Sequence, residues 1–155
     1  MTGRGFVPHA LKPRALLVGG GVGIPAVVLL AEALCERSDV QWKPLVLLGS
    51  QTPFPFHPRP STILVPGMPA GVIAAVPSLE ERGVPSRLAT LADFPGCYDG
   101  AVTDLAAAWL TSLDRAKLDE MEMFACGPAE MVEAAAAVAL RFGIPCQAAP
   151  EEVSA

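Results

Sequence analysis

The feature that most constrains this chain is an apolar stretch, residues 15–34, interrupted by a cluster of glycines. Its twenty residues contain one charged side chain, that of Glu32. Such a length with so little charge would suit a membrane-spanning helix or a signal peptide. However, residues 19–25 read Gly-Gly-Gly-Val-Gly-Ile-Pro, and such a run breaks a helix where a membrane span has to be continuous. The stretch therefore predicts a buried strand, a glycine-rich turn and a helix.

Length and composition limit the classes of protein to be considered. A chain of 155 residues, 52% of them hydrophobic, is long enough for one domain with a core and is too apolar for a disordered segment. The net charge is −5, and the 11 lysines and arginines form no basic cluster. This charge gives nucleic-acid binding little electrostatic support.

The cysteines and histidines are few and scattered. No two cysteines form a Cys-x-x-Cys pair, which argues against a structural zinc site or an iron–sulfur cluster held by this chain alone. The spacings also do not resemble a small disulfide framework, so we expect a reducing, cytoplasmic environment. The residues concerned are Cys35, Cys97, Cys126, Cys146, His9 and His57.

Short apolar runs alternate with helical segments along the chain. Strands are predicted over 14–18, 44–48, 86–90, 122–125 and 144–147, with 62–65 as a possible sixth. Helices are predicted from 24 or 25 to 37 and over 70–82, 103–113 and 128–142. This order predicts an α/β fold: a three-layer, doubly wound sheet of about five parallel strands with helices on both faces. Ligands of such sheets bind at the carboxyl ends of strands, which directs attention to the loops after residues 18, 48 and 125.

The glycine-rich turn has two interpretations. Glycines between a strand and a helix let the backbone approach a phosphate at the helix N-terminus. The spacing is not that of a P-loop, and it matches the dinucleotide fingerprint only loosely, as Gly21-x-Gly23-x-x-Ala26. No acidic residue closes the second strand to hold an adenosine ribose. The turn is therefore either a phosphate-binding loop or a tight turn that packs a helix on a strand.

Gly49, Ser50 and Gln51 follow the second predicted strand, beside which an adenosine ribose would lie. The Ser50 hydroxyl is suited to a hydrogen bond with the ribose, although serine is also common in plain turns. No arginine or lysine follows until Arg59, so a 2′-phosphate has no evident partner. This favours NADH over NADPH.

The third motif is Cys126-Gly127-Pro128, with Met131 one turn further along. A thiol at the end of a strand and the start of a helix lies at the ligand edge of the sheet, where its pKa can be lowered. The alternative is a buried cysteine that acts as a small hydrophobic residue. A thiol nucleophile would also need a base, and neither histidine is evidently placed to serve.

Together these motifs resemble the pyridine-nucleotide domain of ferredoxin–NADP reductase-like flavoproteins. In that family the glycine-rich turn holds the pyrophosphate and a Cys-Gly-Pro turn approaches the nicotinamide. The branch of dihydroorotate dehydrogenase electron-transfer subunits is the most similar, through Gly-Val-Gly-Ile-Pro, the segment 99–104 (Asp-Gly-Ala-Val-Thr-Asp), Ile-Pro-Cys-Gln at 144–147, the pair Glu151-Glu152, and Gly-Arg-Gly-Phe at 3–6. The resemblance covers nearly all of the chain.

The resemblance implies an NAD(P)-binding domain over 14–148, a linker from a flavin domain over 1–13 and a tail before an iron–sulfur segment over 149–155. FAD and a [2Fe–2S] cluster are then expected in further segments or in a partner, such as a dehydrogenase or another redox subunit. Electrons would pass from NADH to FAD and onward, and the isolated chain would be inactive without its flavin domain. Cys126 would act in catalysis by its placement, not as a nucleophile. The implied cofactor-binding residues are Gly19, Gly20, Gly21, Val22, Gly23, Ile24, Pro25, Gly49, Ser50, Gln51, Thr103, Cys126, Gly127, Pro128 and Met131.

Two other functions are compatible with the sequence. One is a non-catalytic nucleotide-binding or docking subunit of a multi-subunit redox complex. The other is a thiol enzyme that uses Cys126 and needs no flavin.

Overall fold

The molecule is organised around a parallel sheet in which most strands lead into a helix. The computed structural model describes residues 12–36, 42–50, 54, 56–91 and 94–150. The strands are β1 (Arg14–Gly20), β2 (Leu45–Ser50), β3 (Arg59–Pro60), β4 (Ala74–Ala75), β5 (Ser86–Thr90), β6 (Tyr98–Asp99), β7 (Met121–Gly127) and β8 (Cys146–Pro150). The helices are α1 (Ile24–Glu36), α2 (Pro77–Glu81), α3 (Val102–Thr111), α4 (Arg115–Asp119) and α5 (Ala129–Phe142), and a 3₁₀ turn (Gly21–Gly23) joins β1 to α1.

Six strands form one parallel sheet in the order β6-β5-β2-β1-β7-β8. Leu16 of β1 pairs with Leu45 of β2 on one side and with Met123 of β7 on the other. The chain therefore builds the sheet on one side of β1 with β2, β5 and β6, and then adds β7 and β8 on the other side. The strand order reverses between β1 and β7. The two residues of β3 and the two of β4 form a separate antiparallel pair.

The helices cover both faces of the sheet because side chains alternate along each strand. Leu17 belongs to a hydrophobic cluster on the α1 side, together with Val27 of α1 and Leu79 of α2. The neighbouring Leu16 belongs to a cluster on the other face, together with Leu105 of α3 and Ala135 of α5. The predicted three-layer, doubly wound fold is confirmed.

The five predicted parallel strands are present, but the prediction of a strand at 62–65 is wrong. The sixth strand is β6. The carbonyl of Ile63 accepts a hydrogen bond from Nη2 of Arg87 at 2.6 Å, and the amide of Thr62 donates to Oε2 of Glu80, also at 2.6 Å. The backbone groups that a strand would use for hydrogen bonds with a neighbouring strand are thus bonded to side chains.

The predicted helix over 70–82 is also wrong in its first half. Gly71 has a φ of 84°, a left-handed conformation that a helix does not continue through. Residues 74 and 75 form β4, and α2 begins at Pro77, where proline is favoured at the first position of a helix. The short α4 was not predicted; the Asp114 side chain caps it by accepting from the amide of Lys117 at 2.9 Å.

The ends of the chain leave part of the domain division untested. Residues 1–11 and 151–155, which hold most of the predicted linker and tail, lie outside the described residues. The proposed boundaries at 14 and 148 therefore stay predictions. Within the described ranges, no helix is both long enough and apolar enough to cross a bilayer.

Candidate functional site

A cleft of about 550 Å³ opens at the carboxyl ends of β1, β2 and β5, against the first turns of α3 and α5. It lies beside the point where the strand order reverses, the position at which open α/β sheets bind their ligands. The lining residues are Gly20, Gly21, Gly49, Ser50, Ala89, Leu91, Gly100, Ala101, Val102, Thr103, Pro128, Glu130, Met131 and Ala134.

The floor of the cleft is made where the ends of β1 and β7 meet. A Cβ on Gly20 would lie 2.8 Å from Sδ of Met131, and a Cβ on Gly127 would lie 2.9 Å from the carbonyl oxygen of Gly20. Real side chains essentially never make such short contacts, so both positions require glycine unless neighbours move. Gly20 lines the cleft and presents bare backbone to it, whereas Gly127 packs against Gly20 and Met131.

Gly23 holds the turn after β1 against the turn after β7. A Cβ on Gly23 would overlap the carbonyl group of Cys126 and lie 2.7 Å from the amide nitrogen of Gly127. Gly21 is the left-handed residue of the turn, with a φ of 54°. Packing thus accounts for Gly23, whereas Gly21 faces the cleft with the conformation that turns the chain from β1 into the 3₁₀ helix.

Three helical segments begin at the cleft without a capping side chain. The residues that precede the 3₁₀ turn, α3 and α5 are Gly20, Ala101 and Pro128, whose side chains offer no hydrogen-bond acceptor. The first-turn amides of a helix lack intrahelical partners and carry a partial positive charge. The cleft therefore concentrates backbone donors and positive potential, a suitable environment for an anion such as a diphosphate.

The side chains of the cleft contribute almost no charge. Among its described lining residues, only Glu130 is ionisable, and none is a lysine or an arginine. The partial positive charge of the helix termini is therefore not reinforced by basic side chains, and Asp104 and Glu130, in the first turns of α3 and α5, offset part of it. Ser50 and Thr103 are the lining residues that carry hydroxyl groups.

The structure brings together about half of the residues selected from the sequence. Gly20, Gly21, Gly49, Ser50, Thr103, Pro128 and Met131 line the cleft. Gly19, Gly23 and Gly127 lie against backbone or core side chains, Ile24 is buried in the α1-side cluster, and Pro25 is exposed. The backbone of Val22 lies in the 3₁₀ turn, and Gln51 lies outside the described residues.

The side chain of Cys126 lies on the α1 face of the sheet, opposite the face that α3 and α5 cover. Its side chain packs with the cluster that contains Leu17 and Phe124, on the α1 face, and it is absent from the cleft lining. Phe124 and Cys126 are two residues apart on β7, so they point to the same face. The assignment of Cys126 to catalysis stays a prediction, and any such role has to be exerted from the α1 side.

The other three cysteines do not have the features of reactive thiols. Burial raises the pKa of Cys97. Burial, with a contribution from Glu122, raises the pKa of Cys146. Burial also raises the pKa of Cys35 despite the nearby Arg82. These thiols are therefore protonated at neutral pH, whereas the thiolate is the nucleophilic form.

The sequence analysis missed three groups of lining residues, of which one is Gly100 to Val102, next to the selected Thr103. Ala89 and Leu91 lie at the end of β5, a third strand end that the loop argument did not include. Glu130 and Ala134 are four residues apart on α5 and therefore share a face with Pro128 and Met131. The i, i+4 spacing after the Cys-Gly-Pro turn was a signal available in the sequence.

A second, smaller cavity of about 330 Å³ opens at the opposite edge of the sheet, near the amino ends of the strands. Trp42, Lys43, Leu64 and Trp109 are among its lining residues. Parallel sheets place their ligand sites at the carboxyl ends, so the larger cleft is the candidate site.

The comparison with solved structures identifies the fold. The chain is similar to the ferredoxin reductase of carbazole 1,9a-dioxygenase, at 21% identity and a TM-score of 0.64, over 92% of this chain and 39% of that one. It is also similar to the C-terminal domain of a hydrogenase from Pyrococcus furiosus, at 17% identity and a TM-score of 0.51, over 93% and 96%. A ferredoxin NADP⁺ reductase from Neisseria gonorrhoeae, solved with bound FAD and NADP, matches at 16% identity and a TM-score of 0.52, over 90% and 56%.

The fold is that of the C-terminal NAD-binding domain of ferredoxin reductases. The chain spans less than two fifths of the length of the first matched reductase chains, 37% and 39%. No protein-family model and no curated protein sequence matches it.

Proposed function

We propose that this chain is the NAD(P)H-binding domain of a flavin-dependent oxidoreductase. Its cleft would hold NADH while a hydride passes to a flavin carried by another domain or subunit. The observation that carries this proposal is the cleft at the strand-order reversal, which combines bare glycine backbone with three uncapped helix starts. The fold shared with ferredoxin reductases supports the same conclusion.

The residues present fit a dinucleotide. Gly20 and Gly21 carry no side chain where β1 ends at the cleft, so a diphosphate can approach their backbone closely. The amides at the start of the 3₁₀ turn would donate to its oxygens. We assign Gly20 to Gly23 to this contact, with Gly23 acting through packing.

The absence of basic side chains from the described lining supports NADH as the preferred nucleotide. NADPH carries an additional 2′-phosphate, which nucleotide-binding domains of this type hold with arginine or lysine. Here Ser50 ends β2, and Thr103 lies in the first turn of α3. Their hydroxyl groups are suited to hydrogen bonds with a ribose, and neither compensates the charge of a phosphate.

The wall formed by Pro128 and Met131 is assigned to the nicotinamide half. Bound NADH supplies the hydride, so the chemistry of transfer belongs to the two cofactors. The contribution of this chain is to bind the nucleotide and to orient its reacting ring toward the flavin. The catalytic role by placement that we propose for Cys126 would have to be exerted from the α1 side of the same strand end, outside the cleft lining.

We further propose that the chain belongs to the type of the dihydroorotate dehydrogenase electron-transfer subunit, with electrons passing from the flavin to an iron–sulfur centre. The segment 99–104 carries this part of the resemblance, and four of its residues, Gly100 to Thr103, line the cleft.

The oxidation of NADH by the chain alone, without a flavin protein, would contradict the proposal. Reduction of an added flavin domain by NADH would support this electron-transfer role, and no reduction would favour a non-catalytic docking role.

Calorimetric titration with NADH and NADPH tests the proposed function. We expect saturable NADH binding and NADPH binding that is weaker by about tenfold or more, since an unpaired phosphate has to be desolvated. Binding of neither nucleotide would contradict the assignment of the cleft. Tighter binding of NADPH would contradict the argument from charge.

A further inference from the structure

The one charged side chain among the described lining residues of the cleft is that of Glu130. Other acidic residues lie on the same elements, but Asp99, Asp104 and Glu133, which are exposed as Glu130 is, do not line the cleft. A carboxylate in a cleft proposed to hold an anionic dinucleotide weakens binding of the diphosphate. Its place in the first turn of α5 is favourable for the helix, because a carboxylate there faces the partial positive charge of the N-terminus.

Glu130 belongs to the part of the cleft formed by the first turn of α5. Its neighbour Met131 contacts the ends of β1 and β7, because Sδ of Met131 lies 2.8 Å from the position of a Cβ on Gly20, and Cε lies 2.9 Å from that of a Cβ on Gly127. Pro128 completes this wall. The opposite wall, with Ser50 and Leu91, contains no charged residue among its described lining.

We infer that Glu130 determines the preference of the cleft between oxidised and reduced nucleotide by placing a carboxylate beside the nicotinamide ring. This inference rests on the proposed function, which assigns the α5 wall to that ring. The ring of NAD⁺ carries a positive charge, and the ring of NADH is neutral. The carboxylate consequently attracts only the oxidised form.

The two forms provide an internal control for this effect. Both carry the same diphosphate, so repulsion between Glu130 and the diphosphate changes both affinities by the same factor. Only an interaction with the ring changes the ratio of the two affinities. That ratio therefore reports on the position of Glu130 relative to the ring.

The test is a calorimetric titration of NAD⁺ and NADH with the wild-type chain and three variants. Glu130→Gln removes the charge, Glu130→Asp keeps it, and Glu133→Gln removes an exposed charge from the same helix. We expect Glu130→Gln to shift the affinity ratio toward NADH by about two- to fivefold, as for an exposed ion pair. Glu130→Asp should retain most of the wild-type ratio, and Glu133→Gln should leave it unchanged. The shift should decrease at high salt, because ions screen exposed charges.

Two results would overturn the inference about Glu130 and leave the proposed function standing. Equal changes in both affinities would place Glu130 beside the diphosphate, and unchanged affinities would place it away from the nucleotide. A wild-type chain that binds neither form would overturn the proposed function and this inference together. The circular dichroism spectrum of each variant verifies that the fold is retained.

Discussion

Gly23 packs against the peptide group that joins Cys126 to Gly127. A Cβ at residue 23 would overlap the carbonyl group of Cys126 and lie 2.7 Å from the amide nitrogen of Gly127. This contact joins the turn after β1 to the turn after β7, the two segments between which the strand order reverses. The geometry of the cleft floor therefore depends on a residue that does not line it.

We predict that Gly23→Ala lowers the free energy of unfolding by about 2–3 kcal/mol, because the added methyl group has to displace backbone. Gly20→Ala is the matched comparison. Its Cβ would meet the flexible end of Met131, which can move, so a smaller loss is expected. Urea denaturation measures both, and an equal loss in the two variants would contradict the packing argument.

Gly21→Ala should weaken NADH binding by more than its effect on stability explains. Gly21 has a φ of 54° and lines the cleft, whereas Gly83 has a φ of 76° and open space where a Cβ would lie. Both alanine variants should lose about 1–2 kcal/mol of stability through left-handed strain. Only Gly21→Ala should also lose affinity, and a larger side chain, as in Gly21→Val, should weaken binding further. Calorimetry and urea denaturation of the variants separate the two effects, and unchanged affinity in folded Gly21→Ala would contradict the pyrophosphate assignment.

Thr103→Val should reduce NADH affinity by about three- to tenfold, the usual effect of losing one hydrogen bond to a ligand. The replacement keeps the shape of the side chain and removes the hydroxyl group. Thr111→Val, at the exposed end of the same helix, is the control and should bind NADH as the wild type does. If calorimetry finds equal affinities in the two variants, Thr103 does not contact the nucleotide.

Glu80 provides a prediction about the dependence of stability on pH. Burial raises its pKa, but hydrogen bonds from the Thr62 amide and the Ser61 and Thr62 hydroxyl groups, with the nearby Arg87, outweigh burial and hold the pKa below its ordinary value. A carboxyl whose pKa is lowered in the folded state stabilises the protein above its unfolded pKa, and this contribution is lost as the pH falls through the folded value.

Glu80→Gln should therefore lower the free energy of unfolding by about 0.5–1 kcal/mol at neutral pH, a small effect because solvent screens a partly exposed carboxylate. The difference from the wild type should close in acid. Glu81→Gln, at an exposed position of the same helix, should have little effect at any pH. Urea denaturation at several pH values measures the difference, and a constant difference at every pH would contradict the role assigned to the carboxylate.

Hydrophobic pattern predicts much of this fold because the strands of a parallel sheet are buried on both faces. The apolar runs at β1 and β2 and the alanine-rich α5 are recognisable for this reason. Residues 62–65 show the limit of this approach, since their apolar pattern resembles a strand. The hydrogen bonds that exclude one come from Arg87 and Glu80, which are distant in the sequence. Pattern alone does not predict such contacts.

The candidate site was predictable where it consists of strand ends. The turns after β1, β2 and β7 meet because the carboxyl ends of parallel strands share an edge. Leu91 and Ala134 were missed because the first requires the position of β5 in the sheet and the second requires the rotation of α5 about its axis. The face of Cys126 follows from the two-residue period of β7, in which it alternates with Ala125 of the opposite cluster.

The central claim is that this cleft binds the nucleotide, and filling it tests the claim most directly. Ala134 lines the cleft on α5, whereas Ala137 is exposed on the same helix. Phenylalanine at 134 would occupy space that a bound nucleotide needs. We predict that Ala134→Phe weakens NADH binding in calorimetry by more than about tenfold, with Ala137→Phe as the control that binds NADH like the wild type. Wild-type affinity in a folded Ala134→Phe variant would contradict the account.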